Sequence, residues 1–131
     1  MTLLWDTGAA VALVNKRDQW HTAAKKRLRV LQRRRARLLL TNFLLGETYA
    51  LLLSRLGGDV ARRWLETNDV AVERVTEGDE LRAKTILLRY TDKDFSYVDT
   101  TSFAVMERLG LQTAFTFDEH FVQYGLTVWR G

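Results

Sequence analysis

The sequence predicts an α/β domain built around a mainly parallel sheet of five strands. Short apolar runs alternate with longer segments of helical period, the pattern of strands joined by crossover helices. Cap and turn residues stand at the joints, and no repeat, low-complexity tract or linker breaks the alternation. A single domain over residues 1–131 is therefore expected, since a chain of this length buries roughly two-thirds of its unfolded surface in one core.

Leu3, Leu4 and Trp5 form a first buried strand that stops at Asp6, and Gly8 lies in the turn opening a helix through Ala9, Val11, Ala12 and Leu13. A second helix, His21 to about Arg35, carries Ala24, Leu28 and Leu31 on one face and basic residues on the others. Leu38 to Leu40 read as the second strand. Thr41 or Asn42 then caps a helix with Leu45, Tyr49, Leu52 and Leu56 on its apolar face, ended by Gly57 and Gly58. A helix from Asp59 to about Thr67 (Val60, Trp64, Leu65) leads into a third strand, Val70 to Val75.

Thr76 to Asp79 resembles a capping box and opens a helix with Leu81, Ile86 and Leu88. After a polar loop at residues 91–94, Ser96 caps a helix whose Val98, Thr101, Ala104, Val105 and Leu109 face inward, and Gly110 stops it. Ala114 to Phe117 form a fourth strand ending at Asp118. A short helix through His120, Phe121 and Tyr124 precedes the last strand, Leu126, Val128 and Trp129.

Composition narrows the function classes. With 47% hydrophobic and 27% charged residues the chain lies far from the disordered corner of composition space. The absence of Cys excludes a disulfide framework, thiolate metal sites and Cys nucleophiles, and suits a reducing cytosol. Proline is absent too, which nothing in the pattern explains. No stretch approaches the roughly 18 apolar residues of a membrane span, so a cytoplasmic protein without membrane attachment is expected.

The net charge of +4 is unevenly spread. Residues 25–37 hold eight Lys and Arg and no acid. Lys25, Lys26, Arg29 and Arg33 are the candidate RNA contacts in this run, the alternatives being a solvated helix face or a surface that docks on an acidic protein.

In open α/β sheets, ligands bind outside the carboxyl ends of the strands, so acids placed there are the informative ones. Four of the sixteen acids meet this condition. Asp6 and Asp118 end strands one and four, while Glu47 and Asp99 lie in the first turns of helices. If strands one, two and four are neighbours, all four converge on one rim.

Two unit charges about 4 Å apart repel by about 4 kcal/mol at an effective dielectric near 20, so such a cluster needs neutralising. Without Cys, the fitting neutraliser is an oxygen-loving cation, Mg²⁺ or Mn²⁺, whose coordinated water suits phosphodiester hydrolysis. Each acid also has a structural reading: Asp99 as partner of Ser96 in a capping box, Asp118 as an N-cap, Asp6 as a turn residue. Glu47 is the hardest to read so, because it interrupts an apolar helix where an unpaired carboxylate is costly.

Four segments carry a resemblance. Leu4 to Gly8, Thr41 to Glu47, Phe95 to Ala104 and Ala114 to Phe121 resemble, in order, the four acidic motifs of PIN-domain nucleases, especially the VapC-type toxins of toxin–antitoxin pairs. The resemblance implies a three-layer α/β/α sandwich and Mg²⁺- or Mn²⁺-dependent endoribonuclease activity. It also implies a homodimer and a cognate antitoxin reaching into the acidic pocket. Carried over by residue, the catalytic and metal-binding acids are Asp6, Glu47, Asp99 and Asp118, with Thr7 and Thr116 as hydroxyls beside them. Gly8 stands where many relatives have Ser.

Asp92 and Asp94 read as loop residues, His120 as a surface or helix-packing residue, and His21 as a helix start. Trp5, Trp20, Trp64 and Trp129 are assigned to core or interface packing rather than base stacking. Two rival functions remain open. A receiver-like phosphoacceptor domain would want paired acids after the first strand and a late Lys, which are missing. A non-catalytic RNA-binding module would use the basic run and leave the acids structural.

Overall fold

The first strand, β1 (Thr2–Trp5), separates two cores, because successive strand side chains point to opposite faces. Leu3 and Trp5 join one cluster and Leu4 the other. The computed structural model describes residues 1–131.

After β1 come α1 (Thr7–Val14), α2 (His21–Arg33), β2 (Arg37–Thr41), α3 (Asn42–Leu56) and α4 (Gly58–Thr67). The chain continues through β3 (Ala71–Glu73), α5 (Glu77–Arg89), α6 (Tyr97–Leu109), β4 (Thr113–Phe115), α7 (His120–Tyr124) and β5 (Thr127–Val128). The strands form one sheet in the order β3-β2-β1-β4-β5, and every neighbouring pair is parallel. Strand β1 is thus central, flanked by β2 and β4 as the acid arrangement requires.

On one face, Leu44 of α3, Ile86 of α5, Phe103 and Met106 of α6, and Phe121 of α7 pack on Leu4, Leu40 and Ala114. On the other, Ala9, Ala10 and Ala12 of α1 and Ala24 and Leu31 of α2 pack on Leu3, Trp5 and Phe115. A third cluster, Val11, Leu52, Ala61 and Trp64, joins α1, α3 and α4. The result is the expected three-layer sandwich. Fully burying one Leu or Phe side chain is worth about 1.5–3 kcal/mol, so these clusters are what hold the acid-bearing edge in place.

Several boundaries differ from expectation, each for a local reason. Strand β3 is shorter than Val70–Val75, because the Val70 and Val75 N–H groups donate to the side chains of Asn68 and Asn42 instead of continuing the ladder. Strand β4 ends at Phe115, not Phe117; the Thr116 hydroxyl accepts from the Asp118 N–H at 3.0 Å and turns the chain. Helix α2 stops at Arg33, two residues early, and Arg35 takes a left-handed φ of 53° in the following turn. Gly58 begins α4 rather than ending α3, with Gly57 (φ 91°) alone between them.

Leu81 and Leu88 are exposed on α5, whose packed side is Asp79, Ala83 and Ile86. Leu109, expected inside, is 36% exposed in the last turn of α6. Val60 and Leu65 likewise lie outside, leaving Ala61 and Trp64 to pack α4.

Buried Asp79 ties the two ends of the α5–α6 pair to the sheet. It completes the capping box with Thr76, and Arg108 of α6 donates Nε to its Oδ1 at 2.9 Å and NH2 to its Oδ2 at 2.9 Å. The same guanidinium reaches Glu73 at the end of β3 at 2.9 Å. Burial pushes the Asp79 carboxyl up, but the Arg108 and Thr76 bonds outweigh it and hold its pKa below the ordinary value.

Removing one partner of a buried pair strands the other's charge. Arg108→Ala is expected to lower stability by about 2 kcal/mol, less than for a fully buried pair because the guanidinium is partly exposed. Urea unfolding checks this, and a loss under about 0.5 kcal/mol would contradict the role given to the tie.

Candidate functional site

The site lies at the carboxyl edge of the sheet. Trp5 and Phe115 are partners in the parallel β1–β4 pair, so Asp6 and Thr116 leave the sheet side by side. The Asp6 N–H donates to the Phe115 carbonyl at 3.0 Å, and the Thr116 hydroxyl donates to Asp6 Oδ2 at 2.7 Å. Because Thr116 also accepts from the Asp118 N–H, one threonine fixes two acids. Asp118 therefore lies in the turn after β4 rather than on its last residue, and its Oδ1 accepts from the His120 N–H at 2.9 Å.

Asp99 reaches the same place from the other side. It is the third residue of α6, where it exchanges backbone bonds with Ser96 at 2.9 and 3.0 Å in a complete capping box. The helix-capping reading of Asp99 is correct, and it is what aims the carboxylate at the edge. Glu47, half-buried on α3, lines the wall. All four acids line one open cleft of about 270 Å³, together with Asp18, Trp20, Arg55 and Phe117.

Thr7 behaves differently from Thr116. Its hydroxyl donates to the Leu44 carbonyl at 3.4 Å and accepts from Thr48 at 3.1 Å, joining α1 to α3 rather than touching an acid. A Cβ at Gly8 would meet nothing within 4 Å, so the cleft lining has room for the Ser that many relatives carry there.

His120, assigned from sequence to surface or helix packing, belongs to the cluster. Its Nδ1 lies 2.8 Å from Asp99 Oδ2 and 3.4 Å from Asp118 Oδ1. A spacing of two residues after Asp118 was the only signal for it. His21 is the helix-start residue expected, its Nδ1 2.7 Å from the Ala12 carbonyl. Asp92 pairs with Lys93 at 3.5 Å in the loop, while Asp94 is near enough for its charge to act on His120.

The electrostatics follow from this crowding. Asp6, 8% exposed, has its pKa pushed up to about 7, first by burial and then by the charges of Asp99 and Asp118; the Thr116 bond and the Thr7 backbone pull the other way. Burial works against a charge on His120, but the Asp99 hydrogen bond and the charges of Asp118, Asp99 and Asp94 prevail and raise its pKa. Both shifts, Asp6 and His120 upward, favour retention of a proton and so act against the repulsion within the cluster.

The ligand atoms of Asp99, Asp118 and His120 lie within 4.8 Å of one another. That group is two carboxylates and one imidazole, and Asp6 and Glu47 line the same cleft but lie outside the group; the carboxylate oxygens suit hard cations such as Mg²⁺ or Mn²⁺ rather than soft metals.

With that geometry established, the relationship to known proteins is specific. The PIN domain family matches residues 3–126. The chain belongs to this family. It is 37% identical over 123 residues to the 23S rRNA-specific endonuclease VapC20 of Mycobacterium tuberculosis, covering 92% of both sequences. The crystal structure of VapC20, described as a sarcin-ricin loop cleaving toxin, aligns with this PIN domain at a TM-score of 0.85 and 34% identity, over 95% of this chain and 96% of the other. VapBC2 from Rickettsia felis, solved bound to a DNA fragment from its promoter, aligns at 0.75 and 13% identity over 98% and 97%, a likeness of fold.

The raised Asp6 pKa makes stability depend on pH in a definite direction. A carboxyl near 7 in the fold and near 3.8 in the open chain holds more protons folded than unfolded between those values. Its contribution is full below about pH 4 and is lost as pH rises through about 7. The metal-free PIN domain should therefore melt roughly 5 °C or more lower at about pH 8 than at about pH 5 on this account. Asp6→Asn should remove most of that difference. An unchanged pH dependence in the variant, read by calorimetry in a chelating buffer, would show that Asp6 is not the source.

Proposed function

We propose that this chain is a divalent-metal-dependent endoribonuclease, a single nuclease domain over residues 1–131 acting as the toxin of a type II toxin–antitoxin pair. One observation carries the reading: Asp6, Glu47, Asp99 and Asp118 line one open cleft, and the charges of Asp99 and Asp118 act on the buried Asp6 carboxyl. Asp6, Glu47, Asp99 and Asp118 would hold Mg²⁺ or Mn²⁺. Such an ion, when bound, supplies an activated water and neutralises charge at the phosphate.

The chain's own residues do the positioning. Thr116 keeps Asp6 and Asp118 at fixed separation, and the α6 capping box together with His120 sets the Asp99 carboxylate. Hydrogen bonds of this kind to ligating groups typically change metal affinity or activity 10–100-fold when removed. Identity of 37% to an endonuclease named for 23S rRNA supports RNA as the substrate. An antitoxin that places a basic side chain among the acids, and a homodimer, complete the reading on the strength of the family resemblance.

Lys25, Lys26, Arg29 and Arg33 are all exposed on α2, and we assign them to RNA phosphates. The cleft is rich in acids and repels a polyanion, so attraction has to come from outside it.

Asp6→Asn and Asp99→Asn are each expected to reduce Mn²⁺-dependent RNA cleavage by about 100-fold or more with the fold intact. Sequencing RNA ends after controlled expression of wild type and Asp99→Asn reads both activity and target. Cleavage by either purified variant at the wild-type rate would overturn the assignment. Lys25→Ala with Arg29→Ala is expected to weaken RNA binding and to reduce the slope of log affinity against log salt by about 2. An unchanged slope would remove α2 from the RNA path.

A further inference from the structure

Trp20 is the one tryptophan that the fold leaves largely open. Trp5 and Trp64 are 8% and 9% exposed, whereas Trp20 is 42% exposed. Its indole lies nearly parallel to the Phe117 ring, with centroids 5.0 Å apart and an interplanar angle of 7°. The Arg27 guanidinium lies over Phe117, 4.8 Å from its centroid. Both aromatic residues line the cleft that holds the four acids, so the flat surface is part of its wall.

Burying an indole is worth more to stability than leaving it in water, and the fold does bury two others. Here the backbone is instead built to hold the indole out. The Trp20 N–H donates to Asp18 Oδ1 at 2.8 Å and the His21 N–H to the Asp18 carbonyl at 3.0 Å, a tight turn just before α2. The His21 ring, hydrogen-bonded to the Ala12 carbonyl, ties that turn to the end of α1. The ring is therefore preorganised, with its inner face already occupied by Phe117.

Its surroundings select the ligand. Just beyond Trp20 begins the basic helix, whose exposed Lys25 and Arg29 share one depression with His21. A flat apolar surface between a cation-demanding acidic cleft and a phosphate-attracting helix matches one chemistry, a nucleobase attached to a phosphodiester chain. We propose that Trp20, backed by Phe117 and Arg27, is a base-stacking platform that receives an unpaired RNA base adjacent to the phosphate held at the acids. This rests on the nuclease reading and deepens it. The acids act on the backbone and are indifferent to sequence, while the platform registers the strand on them and requires the base to be unstacked from its neighbours. Trp20 is thus a positioning residue.

The test separates stacking from structure. In the Asp6→Asn background, indole fluorescence is titrated with a mixed-sequence single-stranded RNA of about 12 nucleotides and with an abasic strand of the same length. The difference between this protein and the same protein carrying Trp20→Phe isolates the Trp20 signal. Quenching by the RNA and not by the abasic strand is expected. In the otherwise wild-type enzyme, Trp20→Leu, which still covers Phe117, should raise KM about 10-fold with kcat nearly unchanged. Trp20→Phe and Trp20→Tyr should recover most of the loss.

Equal quenching by both strands, a wild-type KM for Trp20→Leu, or failure of both aromatic variants to rescue would each overturn the platform. The last of these is the result expected if the site instead receives a side chain of a protein partner. Should the wild-type chain cut no RNA at all, the nuclease reading falls, and base-dependent quenching still decides on the platform by itself.

Discussion

Mutual repulsion among carboxylates at the centre of the sheet edge is the constraint on which the rest of the site depends. Asp6 has little choice of position: it follows the most buried strand, and the alternation that sends Leu3 and Trp5 to one core and Leu4 to the other leaves its side chain at the carboxyl edge. There it meets Asp99 and Asp118, and burial removes the water that would otherwise screen them. The surrounding hydrogen bonds tune this repulsion without abolishing it. Thr116 stabilises the Asp6 carboxylate, the His120 ring lies against Asp99 and Asp118, and the Asp6 pKa is still pushed up to about 7.

A strained cluster of this sort is a poor way to build a fold and a good way to build a cation site. The stabilising interactions lie elsewhere, in the apolar clusters on both faces and in the Arg108–Asp79 tie that fixes α6 against α5. Charge is divided in the same manner. Acids occupy the cleft, bases occupy α2, and the Trp20–Phe117 stack lies between them. On the proposed reading, attraction of RNA and chemistry on RNA are assigned to different surfaces, and the platform fixes the distance between them.

Much of this arrangement was legible in the sequence because the informative signals are local. Capping boxes at Thr76 and Ser96, the stop at Gly110 and the alternation in β1 each depend on a few neighbouring residues, and each is present. The four acids were legible because strand ends in parallel sheets share an edge, so knowing where strands stop almost places the carboxylates. What escaped was decided by partners distant in sequence. Leu81, Leu88 and Leu109 have the right type for a core, but the turn of α5 and α6 relative to the sheet puts Ala83, Ile86, Phe103 and Met106 there instead. The contacts of His120 with Asp99 and of Trp20 with Phe117, 21 and 97 positions away in sequence, could not be read from local pattern.

The central claim, that the acids cannot all stay ionised together unless a divalent cation joins them, is tested most directly by the protons that Mn²⁺ displaces. Calorimetric titration of the wild-type protein at about pH 6, in two buffers of different ionisation enthalpy, should show release of close to one proton per bound site as Asp6 is forced to ionise. At about pH 8.5 the release should nearly vanish, because Asp6 is already charged. Mn²⁺ binding with no proton release at the lower pH, or no binding at millimolar concentrations, would contradict the account.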